Sequence, residues 1–536
     1  MFPAVERQRK DNRSSKPTPG ACMVAKKDSG KRRRQKTLND RTRRHFLKTA
    51  GGMILSAGMA SPSDKSLVAF AAGEEPGRSK RPNILLFLPD QFRYDWITGN
   101  ANDIPARTPH LSRLATEGIW FRRAIVPSPL CAPSRACLAS GKQYERCGVS
   151  SNEVDYPLEQ PTFYSMLRAS GYWTAACGKL DLNKPDDNTG LDGKRYLKAW
   201  GFSDGINSLG KIDAIVSGAV TPTDPYMAYL HKRGLATEYV AYMHRLLHAH
   251  NAGTSPSPLP ENAYCDNWIG QNGLELMRHF PKGKPWFLIV NFAGPHSPWN
   301  VTRRMWERWQ GVNFPPPNGP DGYSEAINNA IRRNYSAMGE NIDRWIGIYL
   351  DRVRERGELE NTLIVFCSDH GEMLGDHGLW GKSVPYQPSV SVPLIVAGAG
   401  VKKTGSSDVL VNTMDLTATF LDYAGVVRPG DMDSLSLRPV LEGKTSTHRQ
   451  EVLSGLGPWR MVFDGRYKLI RGYNPKGRRW MHQWDPKEFI KPATEPLLLF
   501  DLEADPRENI NLIPRAGNVA LKLSDVLLEV EHAMPS

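Results

Sequence analysis

The chain has 536 residues, of which 40% are hydrophobic and 23% are charged, as in a globular protein with one large and one smaller domain. Its net charge of +13 is concentrated in residues 1–48, which hold 16 Lys or Arg and 4 Asp or Glu, so the rest carries only +1. A nearly neutral body lacks the basic surface that nucleic acids require, so no nucleic-acid partner is expected.

Residues 1–80 are interpreted as a basic leader and linker. Thr42 to Lys48 (TRRHFLK) resembles the twin-arginine export signature, and the small-residue run that follows, residues 49–60, is too short for a permanent membrane span. This interpretation predicts the twin-arginine export machinery as a partner and a bacterial periplasmic or secreted location. A solvated basic tail, or a nuclear-type cluster at residues 31–34, is the alternative.

Apolar runs of strand length alternate with helical periods in the following residues, including a long helix predicted over residues 324–356. Several runs end in polar groups: 82–88 before Asp90 and Gln91, 173–177 before Lys179, 286–292 before His296, and 362–367 before Asp369 and His370. The alternation predicts a doubly wound α/β sheet with helices on both faces. Strands of such a sheet deliver side chains to one shared site at their carboxyl ends.

The pattern of predicted elements changes in the later part of the chain. Residues 213–265 are interpreted as an insertion beside the site, and beyond residue 448 a hairpin, a further strand and a closing helix over about 517–533 predict a small α+β subdomain. The predicted domains are the leader, a catalytic domain and the subdomain: 1–80, 81–448 and 449–536. Seven cysteines without a CxxC pair indicate neither a zinc site nor a disulfide framework.

One cysteine has an unusual setting in the segment SPLCAPSRACLASG, residues 128–141. Pro133 suits the first turn of a helix and Gly141 suits its end. Cys131 would then lie at the positive end of a helix dipole, near Arg135, where an anion is stabilised. A low-pKa nucleophile would also fit there, although no Cys–His hydrolase pattern surrounds it.

The pattern C-x-P-S-R-x-x-L-x-x-G over residues 131–141 resembles the signature of the type I sulfatases, of the alkaline-phosphatase-like superfamily. Residues 368–382 resemble that family's second motif and residues 499–512 its C-terminal signature. The resemblance implies a mixed doubly wound sheet and a formylglycine, which a formylglycine-generating enzyme makes from Cys131. In the family, one hydroxyl of the hydrated aldehyde attacks sulfur and the other expels sulfate.

The resemblance also assigns roles to single residues. A divalent cation, Ca²⁺ first with Mn²⁺ or Mg²⁺ open, would be held by five residues: Asp90, Gln91, Cys131, Asp369 and His370. Arg135 would orient the formylglycine, and the remaining substrate-binding and catalytic residues would be Lys179, His296, Lys382 and Asp181. Lys179 and Lys382 would bind sulfate oxygens, and His296 would protonate the leaving oxygen. The alternatives are helix-capping carboxylates, solvated lysines and a packed loop histidine.

Asp181 departs from the family pattern, which has a histidine two residues after the strand-end lysine. A base with a raised pKa, a contact to a cationic or hydroxylated substrate, and weakened catalysis are all open at this position. The expected function is an exported sulfatase acting on a sulfated small molecule or glycan. Phosphonate or phosphate ester hydrolysis, suggested by Gln91 and His370, and a sulfated-glycan binder without turnover are the alternatives. Three tryptophans after His296 could stack on a sugar or pack in the core: Trp299, Trp306 and Trp309.

Overall fold

The computed structural model describes residues 81–99, 103–475 and 496–532, which belong to one compact unit spanning residues 72–536. The leader predicted for residues 1–80 lies outside the described residues. None of the described helices combines the length and the apolar character that crossing a bilayer requires.

The main element is a mixed eight-stranded sheet whose strands are β1 Asn83–Phe87, β2 Ile119–Ile125, β3 Trp173–Gly178, β4 Asp204–Asn207, β5 Trp286–Asn291, β6 Thr362–Phe366, β7 Leu394–Gly398 and β8 Gly405–Asn412. Their spatial order is β4-β3-β5-β1-β6-β7-β2-β8. Strand β7 is antiparallel to both of its neighbours, and the other pairs are parallel. The mixed doubly wound sheet expected from the sequence is confirmed.

The central strands are apolar except for one terminal residue each, because helices cover both faces of the sheet. Every residue of β1, β5 and β6 is buried. Ile84 and Leu86 face one hydrophobic core, and Leu85 and Phe87 face the other. The alternation of side chains along one strand therefore feeds two separate cores.

The helices lie in the loops between these strands and after them. They are α1 Pro109–Glu117, α2 Cys131–Ser140, α3 Phe163–Ala169, α4 Leu197–Trp200, α5 Ile212–Gly218, α6 Pro225–Lys232, α7 Ala236–His248, α8 Cys265–Arg278, α9 Arg303–Arg308, α10 Glu325–Glu355, α11 Gln387–Val390, α12 Asp415–Tyr423, α13 Arg438–Leu441 and α14 Gly517–His532. Helices α2, α3 and α12 supply one core, and α1, α8 and α10 supply the other. The long helix predicted over residues 324–356 is confirmed as α10, which the Ser324 side chain caps by accepting from the Ile327 N–H.

A second, antiparallel sheet forms from the end of the chain, with strands β9 Val452–Leu456, β10 Trp459–Phe463, β11 Tyr467–Arg471 and β12 Leu497–Asp501 in the order β12-β11-β10-β9. Leu523 and Leu527 of α14 pack on it in a small separate core. Lys468 of β11 forms a fully buried ion pair with Glu508. The predicted hairpin, late strand and closing helix are confirmed.

Candidate active site

Four neighbouring parallel strands place polar residues at one edge of the sheet. Strands β3, β5, β1 and β6 lie side by side, so their carboxyl ends meet there. Gly178 at the end of β3 has φ +98°, and a Cβ there would lie 2.0 Å from the Asn291 carbonyl oxygen of β5. Only glycine permits this approach, which brings Lys179 next to the end of β5.

Cys131 is the first residue of α2, and the helix ends at Gly141 in the left-handed region, as the sequence predicts. Its thiol is buried, with Sγ 3.2 Å from His370 Nε2 and 3.9 Å from an oxygen of Asp90. One turn later Arg135 points back to the same centre. Burial and Asp90 oppose ionisation, but the positive charges of Lys179, Lys382 and His370 lower the pKa of the Cys131 thiol to about 6.

Two carboxylates and an imidazole converge on this thiol. One potential ligand atom from each of Asp90, Cys131, Asp369 and His370 lies within 4.8 Å of the others, and all four residues are buried. His370 Nε2 is 3.6 Å from Asp90 and 3.8 Å from Asp369. Although burial favours the neutral acid, Lys179 holds the pKa of Asp90 well below its usual range. The donor set of two carboxylates and one imidazole fits a divalent cation.

Gln91 lies beside this cluster, but its side chain makes other contacts. Its backbone has φ 70°, and its N–H donates to Asp369 Oδ1 at 3.0 Å. Its amide nitrogen donates to Glu372, and its amide oxygen accepts from Lys382 at 2.7 Å. The structure therefore places Gln91 at the centre with its amide oxygen engaged by an ammonium group.

Two buried cations neutralise the carboxylates. The Arg135 guanidinium donates to Asp369 Oδ2 at 2.9 Å, to the Lys179 carbonyl at 2.5 Å and to Asn291 at 2.9 Å. Lys179 forms an ion pair with Asp90 and lies 3.0 Å from Asp181. Arg135 joins the ends of β3, β5 and β6, and Lys179 joins the ends of β3 and β1, so together they fix the relative positions of the carboxylates.

His296 and Lys382 form the half-buried side of the site. Lys382 Nζ lies 2.6 Å from His296 Nε2, and His296 Nδ1 donates to the Ser297 carbonyl. Burial, reinforced by the charge of Lys382, lowers the pKa of His296 well below its usual value. The imidazole is therefore neutral, with its Nε2 lone pair directed at the ammonium group.

The pKa of Asp181 is lowered, whereas a role as a base would require a raised pKa. Burial alone would raise its pKa, but Lys179 and Lys184 lower it, because both ammonium groups contact the same carboxylate oxygen at 3.0 and 3.3 Å. The carboxylate is thus kept ionised and paired. The reading of Asp181 as a base with a raised pKa is wrong for this structure.

The sugar-stacking wall suggested by the three tryptophans does not form. Trp299 and Trp309 are only 1% and 0% exposed, and they pack against Tyr335 and Phe314. Trp306 is half-buried. For Trp299 and Trp309 the structure therefore confirms the alternative, packing in the core.

Several supporting residues were missed because they lie outside the recognised motifs. Lys211 is buried, and its ammonium donates to the His296 carbonyl and to the Pro298 carbonyl at 3.1 Å. Asp266 of α8 accepts from the backbone N–H groups of Ala293 and Gly294 at 2.8 and 3.0 Å. Both hold the loop that carries His296. No periodic signal marks either residue in the sequence.

Glu372 supports the opposite side of the site. One of its oxygens accepts from the backbone N–H groups of Leu374 and Gly381, and the other accepts from Gln91. Gly381 directly precedes Lys382, so this carboxylate positions the loop that presents the lysine. A buried acid with three donors is a positioning group here.

The assembled centre can hold a dianionic or monoanionic ester group next to residue 131. Two carboxylates and an imidazole lie close to the thiol, and three cations contact these carboxylates or Gln91: Arg135, Lys179 and Lys382. Such preorganised charges stabilise negative charge that develops on transferring oxygens.

Comparisons with known proteins agree with this geometry. The family model described as Sulfatase matches residues 82–426, and that described as N-sulphoglucosamine sulphohydrolase, C-terminal, matches residues 375–532. The chain is 29% identical over 463 residues to a choline-sulfatase of Rhizobium meliloti, covering 81% of this chain and 82% of that one. It is 26% identical over 498 residues to an N-acetylglucosamine-6-O-sulfatase of Bacteroides thetaiotaomicron, covering 84% and 86%.

A solved structure also shares the fold. The phosphonate monoester hydrolase of Agrobacterium radiobacter superposes with a TM-score of 0.69 at 21% identity, covering 85% of this chain and 96% of that one. At this identity the likeness concerns the fold alone. Since the sulfatase model matches more than half of the residues, the chain belongs to the sulfatase family, the sulfuric ester hydrolases with an alkaline-phosphatase-like fold.

Proposed function

We propose that this protein is an exported sulfatase that hydrolyses sulfate esters of a carbohydrate, with a formylglycine made from Cys131 and a divalent cation, Ca²⁺ in first place. The observation that carries the proposal is the position of Cys131. Its Sγ lies in a buried centre with Asp90, Asp369 and His370, within reach of cations suited to a sulfate group. The sugar is suggested by the N-acetylglucosamine-6-O-sulfatase relative and by the N-sulphoglucosamine sulphohydrolase model.

The two absent groups fit the residues that would hold them. Asp90, Asp369 and His370 offer a cation two carboxylates and an imidazole, with Gln91 adjacent. When present, the cation and the aldehyde hydrate would supply an activated hydroxyl at residue 131. Arg135, held by Asp369 and Asn291, would orient that residue.

Lys179 and Lys382 would bind the sulfate oxygens, since both are ammonium groups next to the centre. His296 would protonate the leaving oxygen. Since its Nδ1 donates to the Ser297 carbonyl and its Nε2 accepts from Lys382 at 2.6 Å, the proton would reach the leaving oxygen from this hydrogen-bonded pair of lysine and histidine. Lys211 would hold the loop so that Nε2 stays at that position.

Mass spectrometry and kinetics of one preparation test the proposal. The protein is purified from a host that oxidises such cysteines, and the peptide containing residue 131 should be about 18 Da lighter than the thiol form. Cys131→Ala should abolish hydrolysis of p-nitrophenyl sulfate and of sulfated sugars, whereas Cys137→Ala, in the same helix, should not. Full activity with an unmodified thiol, or in Cys131→Ala, would refute the mechanism.

A second candidate is hydrolysis of phosphonate or phosphate esters. Gln91 favours it, because an amide in this position gives the centre one negative charge fewer than a carboxylate would. Rates on p-nitrophenyl sulfate and on phenyl phosphonate decide between the two. A higher kcat/KM for the phosphonate would replace the sulfatase proposal by this one.

The third candidate, a sulfated-glycan binder without turnover, is motivated by Asp181. It predicts binding of defined sulfated oligosaccharides by fully matured protein with no release of sulfate. Export is tested separately by replacing Arg43 and Arg44 with lysine and following the protein in periplasmic and cytoplasmic fractions. Unchanged export of this variant would rule out the twin-arginine route.

A further inference from the structure

Five charged side chains of alternating sign form a line from the centre toward the surface. In order they are Asp90, Lys179, Asp181, Lys184 and Asp213. The Lys179 ammonium pairs with Asp90 and lies 3.0 Å from Asp181 Oδ2, and the Lys184 ammonium lies 3.3 Å from the same oxygen and pairs with Asp213 of α5. Asp181 is therefore the middle charge, with a cation on each side.

Burial makes these contacts strong. The exposed fraction of the side chain is 0% at Asp90, 6% at Lys179 and 2% at Asp181, and rises to 13% and 26% at the outer pair. Charges in such surroundings are poorly screened, so the loss of one partner changes the pairing of the next. The line couples α5 to the catalytic centre through direct contacts.

Lys179 is shared between two carboxylates. Within the described part of the chain, Asp90 and Asp181 are the acids that lie within 4 Å of its ammonium group. A cation bound at Asp90 competes with the ammonium for the same carboxylate. If Asp181 were removed, Lys179 would have Asp90 as its one remaining counter-charge and would compete more strongly.

We propose that Asp181 is a positioning residue: it gives the Lys179 ammonium a second counter-charge, so that Asp90 can bind the divalent cation while Lys179 stays charged beside it. The inference rests on the proposed function, which puts the cation at Asp90. Lys184 compensates the charge of Asp181, so that the additional carboxylate does not make the centre more negative.

The same geometry explains why a histidine is unsuitable at position 181 in this chain. An imidazole there would stand between the ammonium groups of Lys179 and Lys184, and as an imidazolium it would repel both. Asp181 and Lys184 thus compensate each other's charge. The variant Asp181→His should therefore bind Ca²⁺ more weakly than Asp181→Asn does.

Calcium titration of the purified full-length protein tests this without turnover. Isothermal titration calorimetry is run on the wild type, Asp181→Asn, Asp181→His and Asp181→Glu. The dissociation constant for Ca²⁺ should rise about tenfold or more in Asp181→Asn, since a contact to a charged group is lost. It should rise further in Asp181→His and return to within about threefold of the wild type in Asp181→Glu.

Two matched controls separate this effect from general damage. Asp213→Asn makes the same chemical change two charges further out and should alter Ca²⁺ affinity by less than about twofold. Lys184→Met removes one of the two ammonium groups that contact Asp181, so that Asp181 interacts with Lys179 alone. This variant should not weaken Ca²⁺ binding. Equal losses in Lys184→Met and Asp181→Asn would overturn the inference, because they would indicate a disturbed loop.

The outcomes also distinguish this inference from the proposed function. If the wild type binds Ca²⁺ and Asp181→Asn binds it equally well, the positioning role of Asp181 is wrong and the metal centre stands. If the wild type binds none of Ca²⁺, Mn²⁺ and Mg²⁺, the metal centre itself is wrong and this inference falls with it.

Discussion

Replacing Lys468 by methionine should lower the free energy of unfolding by about 3–5 kcal/mol, the cost of leaving one partner of a buried ion pair alone. The side chains of Lys468 and Glu508 are 0% and 1% exposed. Lys468 also donates to the Pro385 carbonyl at 2.8 Å, and Glu508 accepts from the Gln387 N–H at 2.7 Å. The substitution leaves the carboxylate buried with this backbone donor.

The double variant Lys468→Met with Glu508→Gln supplies the decisive comparison. Because it removes both charges, it should be more stable than Lys468→Met alone by about 1–3 kcal/mol. Urea unfolding followed by tryptophan fluorescence measures both values. Arg113→Met, which breaks an exposed pair with Glu117, is the control and should cost less than about 1 kcal/mol. A loss below about 1 kcal/mol for Lys468→Met would refute the reasoning.

Three further outcomes are expected. Lys211→Met should lower kcat/KM about tenfold or more through loss of the support under His296, with a larger loss on sugar sulfates than on p-nitrophenyl sulfate; equal losses on both would contradict it. Gly178→Ala should lower the free energy of unfolding, measured by calorimetry, by about 2 kcal/mol or more, because the new Cβ would collide with Asn291. The control Gly99→Ala should lower it by less, since Gly99 has a similar φ of +90° but open surroundings. Chelation by EDTA should abolish turnover and lower Tm, with recovery on adding Ca²⁺; unchanged activity after chelation would count against the metal centre.

The fold and the inner part of the site could be predicted because their signals are local. Strands β1, β5 and β6 consist almost entirely of apolar residues, and Asp90, Lys179 and Asp369 lie within three residues of a strand end. Parallel pairing then brings these residues together without any knowledge of side-chain contacts. The short spacing of Cys131 and Arg135 likewise places both on one helix.

The outer part of the site could not be predicted from the sequence, because it depends on tertiary contacts. Lys211 and Lys184 lie in irregular segments, and their partners are distant in the chain or in adjoining loops. The sequence leaves a raised pKa open for Asp181, because burial can be anticipated from the sequence whereas the two ammonium groups that lower this pKa cannot. Trp299 and Trp309 gave no periodic pattern that separates a stacking surface from a core.

The burial of Cys131 determines when in the life of the protein this residue can be modified. With 1% of its surface open, the thiol offers a modifying enzyme no approach once α2 has packed. If residue 131 is oxidised as proposed, the reaction must reach residues 128–141 on the nascent or unfolded polypeptide. A twin-arginine route, which conveys finished proteins, would then demand that maturation be complete before the molecule leaves the compartment of its synthesis.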